Sequence, residues 1–203
     1  MKTLPLITLS LACLSVLASC ANPINAYTAQ QYYEYGVQAE RGGDLVLARR
    51  NFSRAYGNAQ MGNLGPKAEA YYLYEFARVT GYTGAYADSE KAFLDVLALI
   101  EKAKGEADKL RPPTLSEYAR LLHDTGQHSK AVPIYEKAVS DLERVGILTV
   151  DPLGFASLLD DYAGSLAATG FSQRSAEVAS WSASIKEAHK GASPQFEAKR
   201  YKA

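Results

Sequence analysis

Two histidines and an aspartate lie close together in this chain, and side chains of these types can bind a metal ion. His123 and His128 flank Gly126, and Asp124 directly follows His123. A separation of five residues does not place two side chains on one turn of a helix. The sequence therefore predicts solvated histidines at a turn, with no metal ion and no other cofactor.

Two adjacent carboxylates, Asp160 and Asp161, are the second candidate for chemistry, because paired acids can perform general acid–base catalysis. Neighbouring residues of a helix point about 100° apart, so this pair does not converge on one substrate atom. The chain also contains no G-x-S-x-G nucleophile elbow and no glycine loop of a phosphate-binding type. The sequence thus predicts no catalytic residue and no enzyme.

Both cysteines, Cys13 and Cys20, lie in the first tenth of the chain, which has the layout of a secretory signal. One basic residue, Lys2, precedes an apolar run of about a dozen residues, and small residues follow. The run is shorter than the roughly 20 residues that a membrane-spanning helix requires, and Pro5 interrupts it. A cleaved signal over residues 1–19 is therefore expected.

Residues 17–20, LASC, resemble the lipobox of bacterial lipoproteins, in which a small pair precedes the lipidated cysteine. The resemblance implies cleavage before Cys20, loss of Cys13 with the signal, and lipid attachment at Cys20 through several acyl chains, which anchor a protein stably. Ala21 at the next position resembles signals for outer-membrane sorting. The expected location is the bacterial cell envelope, on the outer membrane facing the periplasm. The alternative is an ordinary secreted protein with a free Cys20.

The charge balance of the chain bears on its partners. Without residues 1–19, 184 residues remain, enough for one domain with a hydrophobic core. The signal removes Lys2 and no acid from a chain with 22 basic and 22 acidic residues. A net charge near −1 provides no general attraction to nucleic acid, so no nucleic-acid partner is expected.

A pattern of glycine, small and aromatic residues recurs about every 42 residues. The glycines are Gly43, Gly84, Gly126 and Gly170. The small residues, each five positions after its glycine, are Ala48, Ser89, Ala131 and Ser175. The aromatic residues, four positions further on in the first three copies, are Phe52, Phe93 and Tyr135. This regular spacing indicates four tandem copies of one structural unit.

Each copy is predicted to form two antiparallel helices joined by a glycine turn. Residues four apart lie on one helical face, so the small and aromatic residues of one helix form a hole and a knob for the next helix. Gly65-Pro66 and Asp151-Pro152 lie between copies, where a helix must end. Thr28 and Thr114 begin capping-box patterns, which predict helix starts at these two residues. The pairs are expected to stack, because each buries its apolar face only against a neighbour.

This spacing resembles that of the tetratricopeptide repeat family, and the resemblance covers about residues 29–190. It implies an all-α fold, a right-handed solenoid of about four antiparallel helix pairs. The period is similar to that of the long repeats in kinesin light chains. Residues 20–28 are then a lipidated cysteine and a tether. Residues 191–203 are a C-terminal tail, and its basic segment 199–202 is expected to be a frayed, solvated end.

The fourth copy departs from the pattern. Ala179 occupies the position of the aromatic knob, while Val178, Trp181 and Ile185 form an apolar stripe in a register that differs by one residue. This copy is expected to cap the array, and an exposed Trp181 would be a contact if the protein self-associates.

In the family, the concave groove lined by the first helices commonly receives a peptide or a helix. The repeat register projects twelve residues into this groove. Nine of them are the candidate contact residues: Tyr33, Val37, Tyr71, Tyr74, Arg78, Ser116, Arg120, His123 and Asp160. The other three are Gln30, Glu40 and Ser157. Tyrosine and arginine are enriched at binding hot spots, although repeat tyrosines pack between helices as often as they face a groove.

The resemblance thus implies a membrane-anchored adaptor or assembly factor that binds another envelope protein or peptide. Two alternatives stay open at this point. One is an envelope enzyme or small-ligand receptor with a closed pocket, and the other is a self-associating structural lipoprotein.

Overall fold

The structure is a computed structural model that describes residues 22–195 and 198–201. The predicted signal at residues 1–19 and the predicted lipid attachment at Cys20 lie outside the described residues, so both stay predictions. The described part contains nine α-helices and no strand.

Eight long helices form four consecutive pairs. The first pair is α1 (Pro23–Arg41) and α2 (Leu45–Met61), and the second is α3 (Pro66–Tyr82) and α4 (Tyr86–Lys102). The third is α5 (Arg111–Asp124) and α6 (His128–Arg144). A short helix, α7 (Ile147–Val150), precedes the fourth pair, α8 (Pro152–Ala168) and α9 (Ser172–Ala188). The prediction of an all-α solenoid of about four helix pairs is confirmed.

All four predicted glycine turns are present. Gly43, Gly84, Gly126 and Gly170 have positive φ angles of 80°, 84°, 74° and 86°. Only glycine adopts this conformation without steric cost, so each one reverses the chain between the two helices of a pair.

The predicted holes and knobs form the core. Phe52, Phe93 and Tyr135 are each at most 1% exposed. A Cβ atom on Gly36 would lie 2.6 Å from the ring of Phe52, so this glycine is the hole for that knob. Close packing between the two helices of a pair therefore depends on small residues on one helix and an aromatic ring on the other.

Two predicted helix starts are wrong. The first helix begins at Pro23, and Asn22 caps it by accepting a 3.0 Å hydrogen bond from the backbone N–H of Ile24, so residues 23–28 are helix and not a tether. Thr28 and Thr114 lie inside helices, where their hydroxyls donate to the carbonyl oxygens four residues earlier. Proline at the first turn sets the actual starts, since its fixed φ suits a helix and its missing N–H costs nothing there.

In the fourth pair, the apolar stripe lies where the sequence predicts it. Ile185 is buried, Val178 packs against the core, and Ala179 is exposed. The indole of Trp181 is partly buried and packs edge-on against Phe155 at a centroid distance of 5.3 Å. Trp181 thus contributes to the core of its own chain and is not the exposed contact expected for self-association.

Within the part of the chain that the structure describes, no helix has both the length and the apolar character needed to cross a bilayer.

Candidate functional site

The first helices of the four pairs, α1, α3, α5 and α8, form one continuous surface, here called the first-helix face. Its α1 end is aromatic. The hydroxyl oxygens of Tyr33 and Tyr71 lie 2.7 Å apart, and their ring centroids are 5.3 Å apart. Burial and the hydrogen bond with Tyr71 raise the pKa of Tyr33, which keeps its phenol neutral. Tyr71 is 43% exposed and is therefore accessible to a partner, whereas Val37 is partly buried against the core.

An open cleft of about 920 Å³ lies beside this aromatic pair. Its lining includes Gln30, Tyr71 and Tyr72 as well as four lysines, namely Lys67, Lys102, Lys104 and Lys109. One acidic residue, Glu106, also lines it, so the cleft has a positive balance of charge.

Arg78 joins α1 to α3 and is not a free donor. Its guanidinium donates two 2.7 Å hydrogen bonds to the carboxylate of Glu40 and a third, also 2.7 Å, to Glu75. Burial opposes the charge of Arg78, but the two carboxylates outweigh burial and raise its pKa. The pKa of Glu75 is also raised, because burial outweighs its pairing with Arg78.

Tyr74, one turn before Arg78, is likewise mainly structural. Its ring packs edge-on against Phe93 at a centroid distance of 6.5 Å, and burial raises its pKa well above the ordinary value. Arg78 and Tyr74 lie on the predicted face, but their side chains are engaged within the fold.

Residues 199–201 of the C-terminal tail lie on the middle of the first-helix face, so the prediction of a solvated end is wrong for Arg200 and Tyr201. Tyr201 is 1% exposed, and its ring stacks on Tyr82 with centroids 4.6 Å apart. Its hydroxyl donates a 2.5 Å hydrogen bond to Glu117. A Cβ atom on Gly81 would lie 2.5 Å from the Tyr201 ring, so the side chain of any larger residue at position 81 would collide with this ring.

Arg200 and the tail backbone bind two carboxylates of the same face. The backbone N–H of Tyr201 donates a 2.8 Å hydrogen bond to Asp124, and the Arg200 guanidinium pairs with Asp124 and, at 2.6 Å, with Asp161. The side chain of Asp124 is fully buried under this segment. The ammonium of Lys199 lies 4.8 Å from the centroid of the Tyr82 ring, a cation–π distance.

Two further predicted residues, Ser116 and Arg120, are engaged within the fold. Arg120 is buried, donates a 2.6 Å hydrogen bond to Glu117, and lies 3.8 Å from Asp161. Ser116 donates to the carbonyl oxygen of Pro112 in its own helix.

Asp160 points toward α9 and away from the first-helix face. It accepts hydrogen bonds from Ser182 and Lys186 of α9, whereas Asp161 accepts from Arg200 on the first-helix face. The two carboxylates therefore diverge, as the helix geometry predicts. The groove residue from the fourth pair is Asp161.

His123, Ser165 and Asp161 have the residue types of a nucleophilic triad. His123 Nδ1 lies 2.9 Å from Ser165 Oγ, and His123 Nε2 lies 3.7 Å from Asp161. Ser165 is fully buried, so its hydroxyl is out of reach of a substrate. These contacts join α5 to α8 and provide no reactive nucleophile.

The histidine pair is half-buried and not solvated, which corrects the prediction. The rings of His123 and His128 are 5.2 Å apart, and His128 Nδ1 lies 3.3 Å from Ser165 Oγ. Burial lowers the pKa of His123, and the nearby Arg200 acts in the same direction. In the described ranges, no three potential ligands converge to hold a metal ion.

One signal for the tail site was present in the sequence. Gly81 lies inside a predicted helix, at the position where the other copies have Glu40, His123 and Ala167. A glycine inside a helix destabilises it relative to alanine and often marks a close approach. The sequence contained no comparable signal to mark the other residues of the tail site, Tyr82, Glu117 and Asp124.

Comparison with known proteins supports the fold. No family model matches the sequence, and no curated protein matches it. A crystal structure of nearly identical TPR-like repeats of kinesin light chain type from Podosopora anserina superposes with a TM-score of 0.61 at 17% identity, covering 81% of this chain and 77% of that chain. A single-residue variant of the same protein superposes with a TM-score of 0.62 at the same identity and coverage. BtubC (BKLC) from P. vanneervenii superposes with a TM-score of 0.70 at 14% identity, covering 84% of this chain and 68% of that chain.

At these identities the likeness shows the fold alone. The chain has a tetratricopeptide-like helical-repeat fold. Solenoids of stacked helical repeats form extended concave surfaces.

Proposed function

We propose that the protein is a lipid-anchored adaptor or assembly factor of the bacterial cell envelope, which binds a segment of another envelope protein on its first-helix face. The observation that carries this proposal is the seating of residues 199–201 on that face. The segment has no regular secondary structure, yet α3, α5 and α8 all contribute contacts to it. The face therefore has the shape and the hydrogen-bonding groups to hold a peptide.

The α1 end of the face offers a second contact region. Tyr71 is exposed beside the lysine-lined cleft, and a tyrosine provides a large, rigid contact area with a polar tip. A partner that contacts both regions would extend along the whole face, in the manner of extended ligands on solenoids.

The anchor proposal rests on the LASC motif and on the start of α1. Two residues separate Cys20 from Pro23, the first residue of α1. Because an extended residue spans at most about 3.6 Å, lipidated Cys20 would hold the start of α1 within roughly 11 Å of the membrane surface.

The anchor is tested by substitution of each cysteine in a bacterial host. Cys20→Ser is expected to abolish palmitate labelling and to release the protein from the membrane fraction, while Cys13→Ser keeps both. Equal palmitate labelling of the Cys20→Ser variant would rule out this anchor.

The binding face is tested by site-specific photo-crosslinking in the envelope. Benzoylphenylalanine in place of Tyr71 on the first-helix face is compared with the same probe in place of Leu94, which is 50% exposed on α4. A discrete crosslinked envelope protein from position 71 and none from position 94 supports the proposal. The same adduct from position 94 alone would place binding on the opposite face.

A further inference from the structure

The C-terminal tail makes the contacts of a bound ligand. We infer that residues 199–201 are an internal competitor for the first-helix face, and that the partner binds the same site through an arginine followed by a tyrosine. This inference rests on the proposed function, because it names the chemistry of the partner and the way in which binding is regulated.

The tyrosine site is specific in shape. Gly81 provides a flat surface, Tyr82 stacks on one side of the ring, and Glu117 accepts a 2.5 Å hydrogen bond from the hydroxyl. A phenylalanine would fill the same space but leave the Glu117 carboxylate without that donor. A site built around a hydroxyl discriminates strongly against a ligand that lacks it.

The arginine site is specific in charge. Without the tail, the surrounding face presents three carboxylates, those of Glu117, Asp124 and Asp161, and Arg120 is close to the first and the third. Arg200 bridges Asp124 and Asp161 with two different guanidinium nitrogens. A forked, permanently charged donor fits this pair of acceptors better than a lysine ammonium does.

The order of the two residues is set by the backbone. Asp124 accepts both from the Arg200 side chain and from the N–H of Tyr201, the peptide nitrogen between the two residues. The Asp124 carboxylate therefore recognises an arginine side chain together with the backbone N–H of the tyrosine that directly follows it.

The connection to α9 makes the tail displaceable. After Ala188, residues 189–195 contain no helix and are mostly exposed. The backbone N–H of Gln195 donates a 3.1 Å hydrogen bond to the side-chain carboxylate of Asp151. Covalent attachment to α9 through a short connection gives the tail an effective concentration on the order of millimolar at this site. A partner that presents Arg-Tyr and also contacts the α1 end of the face gains the additional contacts needed to displace it.

The test uses the full chain and a fluorescein-labelled peptide of the tail sequence, EAKRYKA, followed by fluorescence anisotropy. The Arg200→Ala/Tyr201→Ala variant has an empty site and is expected to bind the peptide at least about tenfold more tightly than the unaltered protein, whose site is occupied. Adding Glu117→Gln and Asp161→Asn to that variant is expected to abolish binding. A control peptide, EAKAAKA, is expected not to bind.

Folding of each variant is checked by circular dichroism and thermal unfolding. If Arg200→Ala/Tyr201→Ala does not fold, the milder Tyr201→Phe replaces it and is expected to show intermediate affinity, since the stacking on Tyr82 is kept. Equal peptide affinity for the unaltered protein and a folded tail variant overturns the inference, as does an absence of binding to both. The tail is then a fixed structural element.

Two further outcomes separate this inference from the proposed function. Tail-dependent dimers in light scattering would show that the tail docks on a second copy, which overturns an internal competitor. Peptide binding without any photo-crosslinked partner at position 71 would leave the tail site intact and contradict the adaptor function.

Discussion

The ring of Tyr201, at the C-terminal end of the chain, stacks on the ring of Tyr82 at the end of α3 with an interplanar angle of 26°. Glu117 of α5 accepts hydrogen bonds from both phenols, at 2.5 Å from Tyr201 and 3.2 Å from Tyr82. The tail thereby links the second helix pair to the third. The same contacts block the part of the face where a partner is proposed to bind.

Gly81→Ala is expected to expel the tail. The new methyl group would lie 2.5 Å from the ring of Tyr201 and 2.9 Å from the hydroxyl of Ser89, and the ring is the neighbour with freedom to leave. Hydrogen–deuterium exchange would show increased exchange in residues 198–201 and little change in α3.

The matched control is Gly57→Ala in α2, because a Cβ at Gly57 meets nothing within 4 Å. This variant is expected to gain up to about 1 kcal/mol of stability from helix propensity and to keep the tail in place. An unchanged tail in Gly81→Ala would contradict the close packing at that glycine.

Arg200→Ala is expected to raise the pKa of His123. Burial lowers this pKa, Arg200 and His128 lower it further, and Asp161 and Asp124 raise it. The substitution removes the Arg200 cation and admits water, so the effects of Arg200 and of burial on this pKa both weaken, while that of His128 remains. An NMR titration of the imidazole measures the change, and Lys199→Ala, which contacts Tyr82, is the control expected to leave it unaltered.

The lowered pKa of His123 also sets a direction for stability against pH. In the unfolded chain an imidazole titrates near about 6.5, and the folded protein takes up that proton only at lower pH. The stability that comes from neutral His123 is thus present above the unfolded-state pKa of about 6.5, and it is lost as the pH falls through the lower pKa of the folded protein. Urea unfolding between pH 7.5 and 5 is expected to show a smaller loss in His123→Gln.

Arg78→Ala is expected to lower the free energy of unfolding by about 3 kcal/mol, because it leaves two partly buried carboxylates without their cation. The control is Arg49→Ala, which breaks a more exposed pair with Asp88 and is expected to change stability by less than about 1 kcal/mol. Chemical denaturation compares the two. Equal losses would show that Arg78 contributes no more than a surface ion pair.

Gly36→Ala is expected to destabilise the first helix pair by about 1–3 kcal/mol, because its methyl group would lie 2.6 Å from the ring of Phe52. Phe52→Leu alone is also expected to destabilise, since a smaller side chain leaves space in the core. The double variant is expected to be more stable than the sum of the two losses predicts. Simple additivity in a double-mutant cycle would contradict the hole-and-knob contact.

The repeat architecture was predictable because its signals are local. Small and aromatic residues four apart must share a helical face, and glycine is favoured at a turn between helices because it reaches a positive φ angle without steric cost. Gly43, Gly84, Gly126 and Gly170 therefore marked four turns before any contact between helices was known. The aromatic knobs followed from the same register.

The groove residues were predictable only to within one helical position. A shift of one residue rotates a side chain by about 100°, and this separates Asp161 on the first-helix face from Asp160 against α9. The register also placed Tyr74, Arg78 and Arg120 on the predicted surface. It also placed Glu40 there, but it did not show that Glu40 and Glu75 pair with Arg78 or that Glu117 pairs with Arg120.

By itself, the sequence determined that this protein is a stack of helix pairs, because periodic burial is encoded within each copy. Only the tertiary structure showed that Arg200 and Tyr201 lie on the first-helix face. Their partners Asp124 and Glu117 are 77 and 84 residues distant from Tyr201 in the chain, and no periodic pattern connects them. Such a site exists only after stacking of the repeats has brought Gly81, Glu117, Asp124 and Asp161 together.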